Sequence, residues 1–243
     1  MRAVLFDLDG TLLDIDIEAF LRSYFEALAV AVGEIADSPE RHSIVMRAIH
    51  DATGAMMRPH DPRTNREAFA EEFERLTGLG LDEVWPIFEA FYTDVFPGLG
   101  AGMVAHAGAV DALSAARRHG LRTAVATNPI FPRSAVVHRM EWAGIVPGDV
   151  DVITDFETMV ACKPHAAYFR QTAEMLGVDA GDCLMVGDDA MLDLAAADVG
   201  MRTFYVGSDE DVPADYRGTL LDLAELIERS AETGEREVSD ASA

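Results

Sequence analysis

Short apolar runs alternate along most of the chain with segments whose apolar residues recur every three or four positions. The runs are typical of short buried strands, and the periodic segments are typical of amphipathic helices. The predicted strands cover residues 3–6, 121–126, 150–154, 183–186 and 202–206. The predicted helices that separate or follow them cover residues 107–119, 132–142, 164–176, 190–199 and 220–228. This alternation predicts an α/β fold, a doubly wound parallel sheet of Rossmann-like type.

A block of purely helical pattern interrupts this alternation directly after the first strand. It predicts four helices and no strand, over residues 17–32, 39–57, 64–76 and 82–96. We therefore predict a core domain of residues 1–14 and 97–229, with an inserted all-helical cap over residues 15–96. Because ligands bind beyond the carboxyl ends of parallel strands, and the insert leaves from that end, the cap can cover a site there. The polar, acidic residues 230–243 predict a disordered tail.

Composition narrows the class of protein further. The chain has 243 residues, and 49% of them are hydrophobic, which is enough for a substantial core. No apolar run approaches the roughly eighteen residues that span a bilayer, and the N-terminus enters the first strand at once, so we expect neither a membrane span nor a signal peptide. Cys162 and Cys183 are too few for a disulfide framework, which fits a reducing cytoplasm. The net charge of −24 argues against nucleic-acid or membrane partners.

Candidate chemistry begins where the first strand ends, in the stretch Asp7-Leu8-Asp9-Gly10-Thr11. On an extended segment Asp7 and Asp9 point to the same side. Two neighbouring carboxylates repel each other unless a cation lies between them, and oxygen ligands favour a hard ion such as Mg²⁺. Thr11 adds a hydroxyl that can hold the turn or a carboxylate. The alternative is an acidic turn that merely caps a helix.

Two later stretches add a hydroxyl, an amide and a cation. Thr127-Asn128 follows the predicted strand 121–126, where a hydroxyl and a backbone N–H can bind a phosphoryl oxygen. The same Thr-Asn-Pro sequence is also an ordinary turn. Lys163-Pro164 opens a predicted helix, and a lysine there is either a solvated residue or a countercharge for clustered carboxylates and a phosphoryl group.

A second group of acids follows the predicted strand 183–186. Asp188 and Asp189 come directly after Gly187, and Asp193 follows four residues later. This resembles the pattern at the first strand, a buried run that ends in carboxylates. Asp193 has a purely structural alternative, because a helix dipole favours an acid near a helix N-terminus.

Together these stretches resemble, in the expected order, the four motifs of the haloacid dehalogenase-like (HAD) superfamily. Asp7-Leu8-Asp9-Gly10-Thr11-Leu12 is similar to its first motif, Thr127 to its second, Lys163-Pro164 to its third, and Gly187-Asp188-Asp189 with Asp193 to its fourth. The resemblance spans residues 3–206 and implies a helical cap of the first insertion type. The runs 126–133 and 142–144 further resemble a bacterial subgroup of hydrolases, which indicates chemistry but names no substrate.

The resemblance also implies roles for these residues. Asp7 would attack phosphorus and form an aspartyl-phosphate, and Asp9 would protonate the leaving oxygen and then activate water. Mg²⁺ would bind Asp7, Asp188 and the backbone carbonyl of Asp9. The phosphoryl oxygens would be held by Thr127, Asn128 and Lys163. Asp193 would lie in the outer shell of the site, acting through water or by orienting Lys163. Asp189, where many relatives have Ser, would strengthen the metal site or face solvent.

The implied function is a Mg²⁺-dependent phosphatase for a small phosphorylated metabolite. The alternatives are a phosphomutase or phosphotransferase of the same superfamily, and a non-catalytic binding protein that kept the fold. A dehalogenase is disfavoured, because that branch lacks the acid at Asp9 and uses no Mg²⁺. Specificity is expected to lie in the cap, whose conceivable contacts are Arg22, Tyr24, Arg47, His50, Met56, Met57, Arg58 and His60. Arg133 and His138 are further candidates near the cleft.

Overall fold

The computed structural model describes residues 1–59 and 63–240, with side chains described as far as residue 230. Its described residues form eight strands: β1 Ala3–Phe6, β2 Leu13–Asp14, β3 Val104–Ala105, β4 Arg122–Val125, β5 Val152–Ile153, β6 Cys183–Gly187, β7 Arg202–Tyr205 and β8 Tyr216–Arg217. Six of these strands make one sheet in the order β5-β4-β1-β6-β7-β8, and every adjacent pair is parallel. The predicted doubly wound α/β fold is confirmed.

Strand β1 lies in the middle of the sheet, and all four of its residues are buried. Val4 and Phe6 belong to the larger hydrophobic core on one face, whereas Ala3 and Leu5 belong to the core on the other face. Burial on both faces explains why the strand reads as an unbroken apolar run. On one side of β1 lie β4 and then β5, and on the other side lie β6, β7 and β8. The strand numbers therefore increase outward in both directions. The order therefore reverses between β1 and β6, where sheets of this type bind ligands.

The described residues also form eight α-helices: α1 Ile17–Val32, α2 Pro39–Met57, α3 Asn65–Thr77, α4 Leu81–Ala90, α5 Ala109–Arg118, α6 Arg133–Trp142, α7 Ala166–Leu176 and α8 Leu220–Asp240. Helices α1 to α4 make up the insert that follows β1. The carboxylate of Asp16 caps α1, the hydroxyl of Ser38 caps α2, and Thr64 with Glu67 forms a capping box at α3.

Strands β2 and β3 close the base of the insert, a feature that the sequence did not indicate. Leu13 pairs with Ala105 and Asp14 with Val104 in an antiparallel ladder. Beside it, the N–H of His106 donates to the carbonyl of Leu12 over 2.9 Å. The chain therefore leaves the core and returns to it at one place. The boundaries of the cap, residues 15–96, remain a prediction.

Two of the predicted helices are shorter in the structure. The helix predicted to reach residue 96 ends at Ala90 and continues as a π-helix, Phe91–Val95, and a 3₁₀-helix, Phe96–Gly100. Pro97 has no backbone N–H, so an α-helix that continued to residue 97 would lack a hydrogen bond at this position. The helix predicted over residues 190–199 is instead a turn followed by a 3₁₀-helix, Leu194–Val199. In that turn the carboxylate of Asp189 accepts the N–H groups of the second and third residues after it, and so caps a tight turn.

The last helix is longer than predicted. Helix α8 continues to Asp240, past residue 228, so its backbone is helical where the sequence predicts a disordered tail. The segment contains alanine, glutamate and arginine, which favour helix. Residues 241–243 of the predicted tail lie outside the described residues. Within the described chain, none of the helices combines the length and the apolar character that crossing a bilayer requires.

Candidate active site

Polar side chains from three neighbouring strands meet at one edge of the sheet. Asp7 follows β1, Thr127 follows β4 and Asp188 follows β6. Because these strands are adjacent and parallel, their carboxyl ends lie side by side. The three side chains line a cavity of about 320 Å³, together with Asp9 and Lys163. The acids that follow β1 and β6, far apart in the sequence, thus line one cavity, and their chemical roles remain predictions.

Lys163 holds two of the acids together. Its ammonium nitrogen lies 2.6 Å from Oδ1 of Asp7 and 2.6 Å from Oδ1 of Asp193. The side chain is only 1% exposed, and it belongs to the single lysine of the sequence. Burial alone would lower the pKa of Lys163, but the charges of Asp193 and Asp7 outweigh burial and raise that pKa. The side chain is therefore a permanent positive charge at the bottom of the cavity.

Asp188 is held from the other side by the turn that follows β1. The hydroxyl of Thr11 donates to Oδ1 of Asp188 over 2.9 Å. Gly10 has a φ of +82°, and a Cβ atom at this position would overlap the carboxylate of Asp188. The turn after β1 therefore requires glycine at this position for two reasons, which are its left-handed backbone and the close approach of the Asp188 carboxylate.

We expect Gly10→Ala to destabilise the fold and to weaken metal binding, because the new methyl group must displace Asp188. Gly78 is a matched control, with a φ of +71° and no atom within 4 Å of an added Cβ. Gly78→Ala should lower the free energy of unfolding by about 1 kcal/mol from backbone strain alone, and Gly10→Ala by about 2–3 kcal/mol. Urea denaturation and calorimetric titration with Mg²⁺ measure both effects. Equal losses in the two variants would contradict the close approach.

The cluster of acids has the composition of a site for a hard divalent cation. Carboxylate oxygens of Asp7, Asp188 and Asp193 lie within 4.8 Å of one another. Burial, together with the charge of Asp7, raises the pKa of Asp188 against the opposing hydrogen bond from Thr11. Among the described residues, five aspartates and two cationic side chains line the cavity. Since both carboxylate oxygens of Asp193 already accept hydrogen bonds, from Lys163 and from the N–H of Asp189, Asp7 and Asp188 are the carboxylates best placed to bind a cation.

Asp9 is paired with Arg139 of α6, a residue that the sequence analysis missed. The guanidinium contacts Oδ2 of Asp9 through Nη1 and lies 4.7 Å from the ring centre of Phe131. Arg139 is among the largest fully buried side chains, and both its Nη2 and Oδ1 of Asp9 lack a hydrogen-bond partner among the described residues. Burial raises the pKa of Asp9, the charge of Asp7 adds to this, and Arg139 opposes it. Asp9 thus keeps an unoccupied oxygen beside the cavity.

Removing Arg139 should cost the protein far more stability than removing an exposed arginine. Arg139→Met leaves the Asp9 carboxylate buried without its cation, which we expect to lower the free energy of unfolding by about 3 kcal/mol. Arg117→Met is the matched control, since Arg117 pairs with Asp149 on the surface. That variant should cost less than about 1 kcal/mol. Urea denaturation compares the two, and equal costs would contradict a buried, charge-compensating role for Arg139.

Thr127 and Asn128 sit where the sequence places them, at the end of β4, and both line the cavity. The carbonyl of Thr127 accepts the hydroxyl hydrogens of Thr154 and Tyr168, over 2.8 and 2.9 Å. The amide oxygen of Asn128 accepts the N–H of Lys163 over 3.1 Å. These bonds hold the backbone at Thr127 and connect the second and third motifs.

Asp189 and Asp193 differ in their surroundings. Asp193 is 1% exposed, bonds Lys163 and accepts the N–H of Asp189 over 3.1 Å. Gly187 lies so close to Asp193 that an added Cβ would overlap its carboxylate. Asp189 is exposed and caps its own turn. The contacts of Asp193 are those expected of a residue that orients Lys163. The contacts of Asp189 are those expected of a turn residue.

None of the cap candidates that lie among the described residues lines the cavity. Among the described ones, Tyr24 is buried and its hydroxyl lies 2.9 Å from that of Tyr92, so it is a residue of the cap core. The part of the wall that the predicted cap supplies comes instead from Ile15, just before α1, and from Ile17 and Leu21 in its first turns. Arg133 pairs with Asp155, and His138 pairs with Glu141. His60 lies outside the described residues.

Comparison with known proteins identifies the family. A profile of the haloacid dehalogenase-like hydrolases matches residues 1–199. The chain belongs to this hydrolase family, and it is therefore an enzyme of the hydrolase class. A phosphoglycolate phosphatase of Xanthomonas campestris pv. campestris is 28% identical over 205 residues, which cover 82% of this chain and 80% of that protein.

Solved structures of other proteins share the fold. A HAD phosphatase from Thermococcus onnurineus superposes with a TM-score of 0.59 at 23% identity, covering 93% of this chain and 98% of that one. CbbY from Rhodobacter sphaeroides, solved in complex with xylulose-1,5-bisphosphate, gives a TM-score of 0.57 at 20% identity, covering 90% and 95%. At these identities the likeness concerns the fold alone.

Proposed function

We propose that this protein is a Mg²⁺-dependent phosphatase that hydrolyses a small phosphorylated metabolite through an aspartyl-phosphate on Asp7. One observation carries the proposal. Asp7 lies in the cavity with Lys163 at 2.6 Å, Asp188 within the same cluster and a second acid, Asp9, two residues along the chain. Phosphoryl transfer requires a nucleophile, a countercharge, ligands for a cation and a proton donor. The curated relative from Xanthomonas campestris, a phosphatase, supports the reaction class.

The residues present fit the metal. Asp7, Asp188 and the backbone carbonyl of Asp9 would hold Mg²⁺, because they supply oxygen ligands in a site with excess negative charge. The bound ion would neutralise charge on the phosphoryl oxygens. Asp193 is not needed as a ligand, since its two carboxylate oxygens accept hydrogen bonds from Lys163 and from the N–H of Asp189.

The side chains of the cavity would each have a separate role in the reaction. An oxygen of Asp7 forms a bond to phosphorus while the ester P–O bond breaks, and the leaving alkoxide takes a proton from Asp9. The carboxylate of Asp9 next removes a proton from water, whose oxygen attacks phosphorus and releases Asp7 and phosphate. Lys163, the hydroxyl of Thr127 and the amide of Asn128 hold the equatorial oxygens. The raised pKa of Asp9 suits a group that must first be an acid.

The test is an assay of the purified protein with Mg²⁺ against p-nitrophenyl phosphate and a panel of metabolite phosphates. Release of inorganic phosphate that depends on Mg²⁺ is the expected result. Isomerisation of a sugar phosphate without release would instead identify a phosphomutase. An inert protein that still binds phosphorylated ligands would identify a binding protein and overturn the proposal.

A further inference from the structure

The cavity above the catalytic residues has an apolar wall. Apart from the polar residues described above and Gly10, it is lined by Ile15, Ile17, Leu21, Ile130, Phe131 and Leu192. The first three belong to the α1 side of the cavity, and the next two follow β4. No described residue from α2, α3 or α4 lines it. The organic part of a bound phosphate ester would therefore meet hydrocarbon on two sides.

Neither cation of the cavity is available for a second negative group on the substrate. Lys163 is buried between Asp7 and Asp193, and Arg139 is buried against Asp9. Among the described residues, the lining offers no third cation, so a bound divalent ion is the one positive charge left for the substrate. A carboxylate or second phosphate on the substrate would thus be desolvated without a partner, which is costly.

Part of the apolar wall is open to water. Ile17, in the first turn of α1, lines the cavity and is 45% exposed. An exposed apolar side chain of the wall gains free energy when an apolar ligand covers it.

We propose, on the basis of the phosphatase function above, that the substrate is a phosphate monoester whose organic group is largely apolar and carries no second charge. The wall of Ile15, Ile17, Leu21 and Phe131 selects it, and the described lining has no unpaired cation to hold a further anionic group. Phosphoglycolate, named in the relatives, carries a carboxylate and is therefore a poor substrate for this chain.

The first experiment compares alkyl esters with similar leaving groups, so that intrinsic reactivity stays nearly constant. We expect kcat/KM for n-butyl phosphate to exceed that for 2-phosphoglycolate by about tenfold or more, and to exceed that for ethyl phosphate as well. Equal or faster turnover of phosphoglycolate overturns the inference and leaves the phosphatase function intact. No phosphate release from any ester, p-nitrophenyl phosphate included, overturns the phosphatase function, and the inference falls with it.

The second experiment places a cation in the wall. Ile17 is partly exposed, so Ile17→Arg should fold, which circular dichroism verifies. Val30→Arg is the matched control, since Val30 lies in the same helix, is 78% exposed and does not line the cavity. Ile17→Arg should raise the ratio of phosphoglycolate to n-butyl phosphate turnover at least about threefold, as a new surface ion pair allows, whereas Val30→Arg should not change it. An unchanged ratio in Ile17→Arg overturns the role of the wall.

Discussion

Asp7→Asn should fold normally and release no measurable phosphate. The amide keeps the shape of the side chain but cannot attack phosphorus, so we expect kcat to fall by more than about 10⁴-fold. Stability should change little, because Lys163 keeps its second partner, Asp193, at 2.6 Å. We expect the free energy of unfolding to change by less than about 2 kcal/mol. A phosphate-release assay and urea denaturation measure the two quantities.

The control for this prediction is Asp198→Asn, which removes an exposed carboxylate outside the cavity. It should leave both kcat and stability unchanged, because an exposed acid without a buried partner contributes little. Substantial turnover in Asp7→Asn, in a sample free of contaminating phosphatase, would remove Asp7 from the role of nucleophile. A variant that fails to fold would instead show that the carboxylate is needed by Lys163.

Lys163→Met should lose both activity and stability. Its ammonium is the countercharge that Asp7 and Asp193 share inside the protein. Methionine preserves much of the volume but leaves the carboxylate of Asp193 buried and unpaired, which should cost about 3–5 kcal/mol. Activity should fall by about 10²-fold or more, because a fixed charge on the phosphoryl oxygens is lost.

Two observations separate these effects. The double variant Lys163→Met with Asp193→Asn removes both members of the buried pair, so it should recover much of the lost stability but not the activity. Because Lys163 is the only lysine, ¹⁵N-lysine labelling gives one side-chain signal, and that signal should move when phosphate and Mg²⁺ are added to the wild-type protein. Full activity in Lys163→Met would contradict the proposed role in phosphate binding.

Much of the fold is predictable because the buried strands are short and apolar on both faces. The run Ala3–Phe6 predicts β1 residue for residue, and Cys183–Val186 predicts β6 to within one residue. The two-residue strands β2, β3 and β8, unlike β5, do not lie within a longer apolar run that a sequence pattern could reveal. The turn after Asp188 looked helical, because only the structure shows the side chain of Asp189 capping it.

The residues of the candidate site likewise divide into those that the sequence could place and those that it could not. Asp7, Thr127 and Asp188 could be placed because each directly follows a strand, and parallel strands bring their ends together. Arg139 could not, because it reaches Asp9 only through the packing of α6 against the turn after β1. A charged residue in the middle of a largely apolar helical face is the only local signal, and it does not name a partner. The cap contacts were missed for a similar reason, since the side chains that line the cavity are apolar.

The acidity of the chain affects which substrates can bind at this site. A net charge of −24 repels anionic substrates, and the two cations of the cavity are already neutralised by aspartates. Binding of a phosphate ester therefore depends on the added cation rather than on free basic residues. Such an arrangement favours an ester whose only charge is the phosphate itself.

The account rests on a covalent intermediate at one side chain. Borotritide reduction of enzyme quenched during turnover, followed by peptide mass spectrometry, traps an acyl phosphate as a labelled alcohol at the residue that carried it. The predicted result is a single label at Asp7, dependent on Mg²⁺ and on substrate. Label at another residue, or its absence while phosphate is released at the normal rate, would contradict the account.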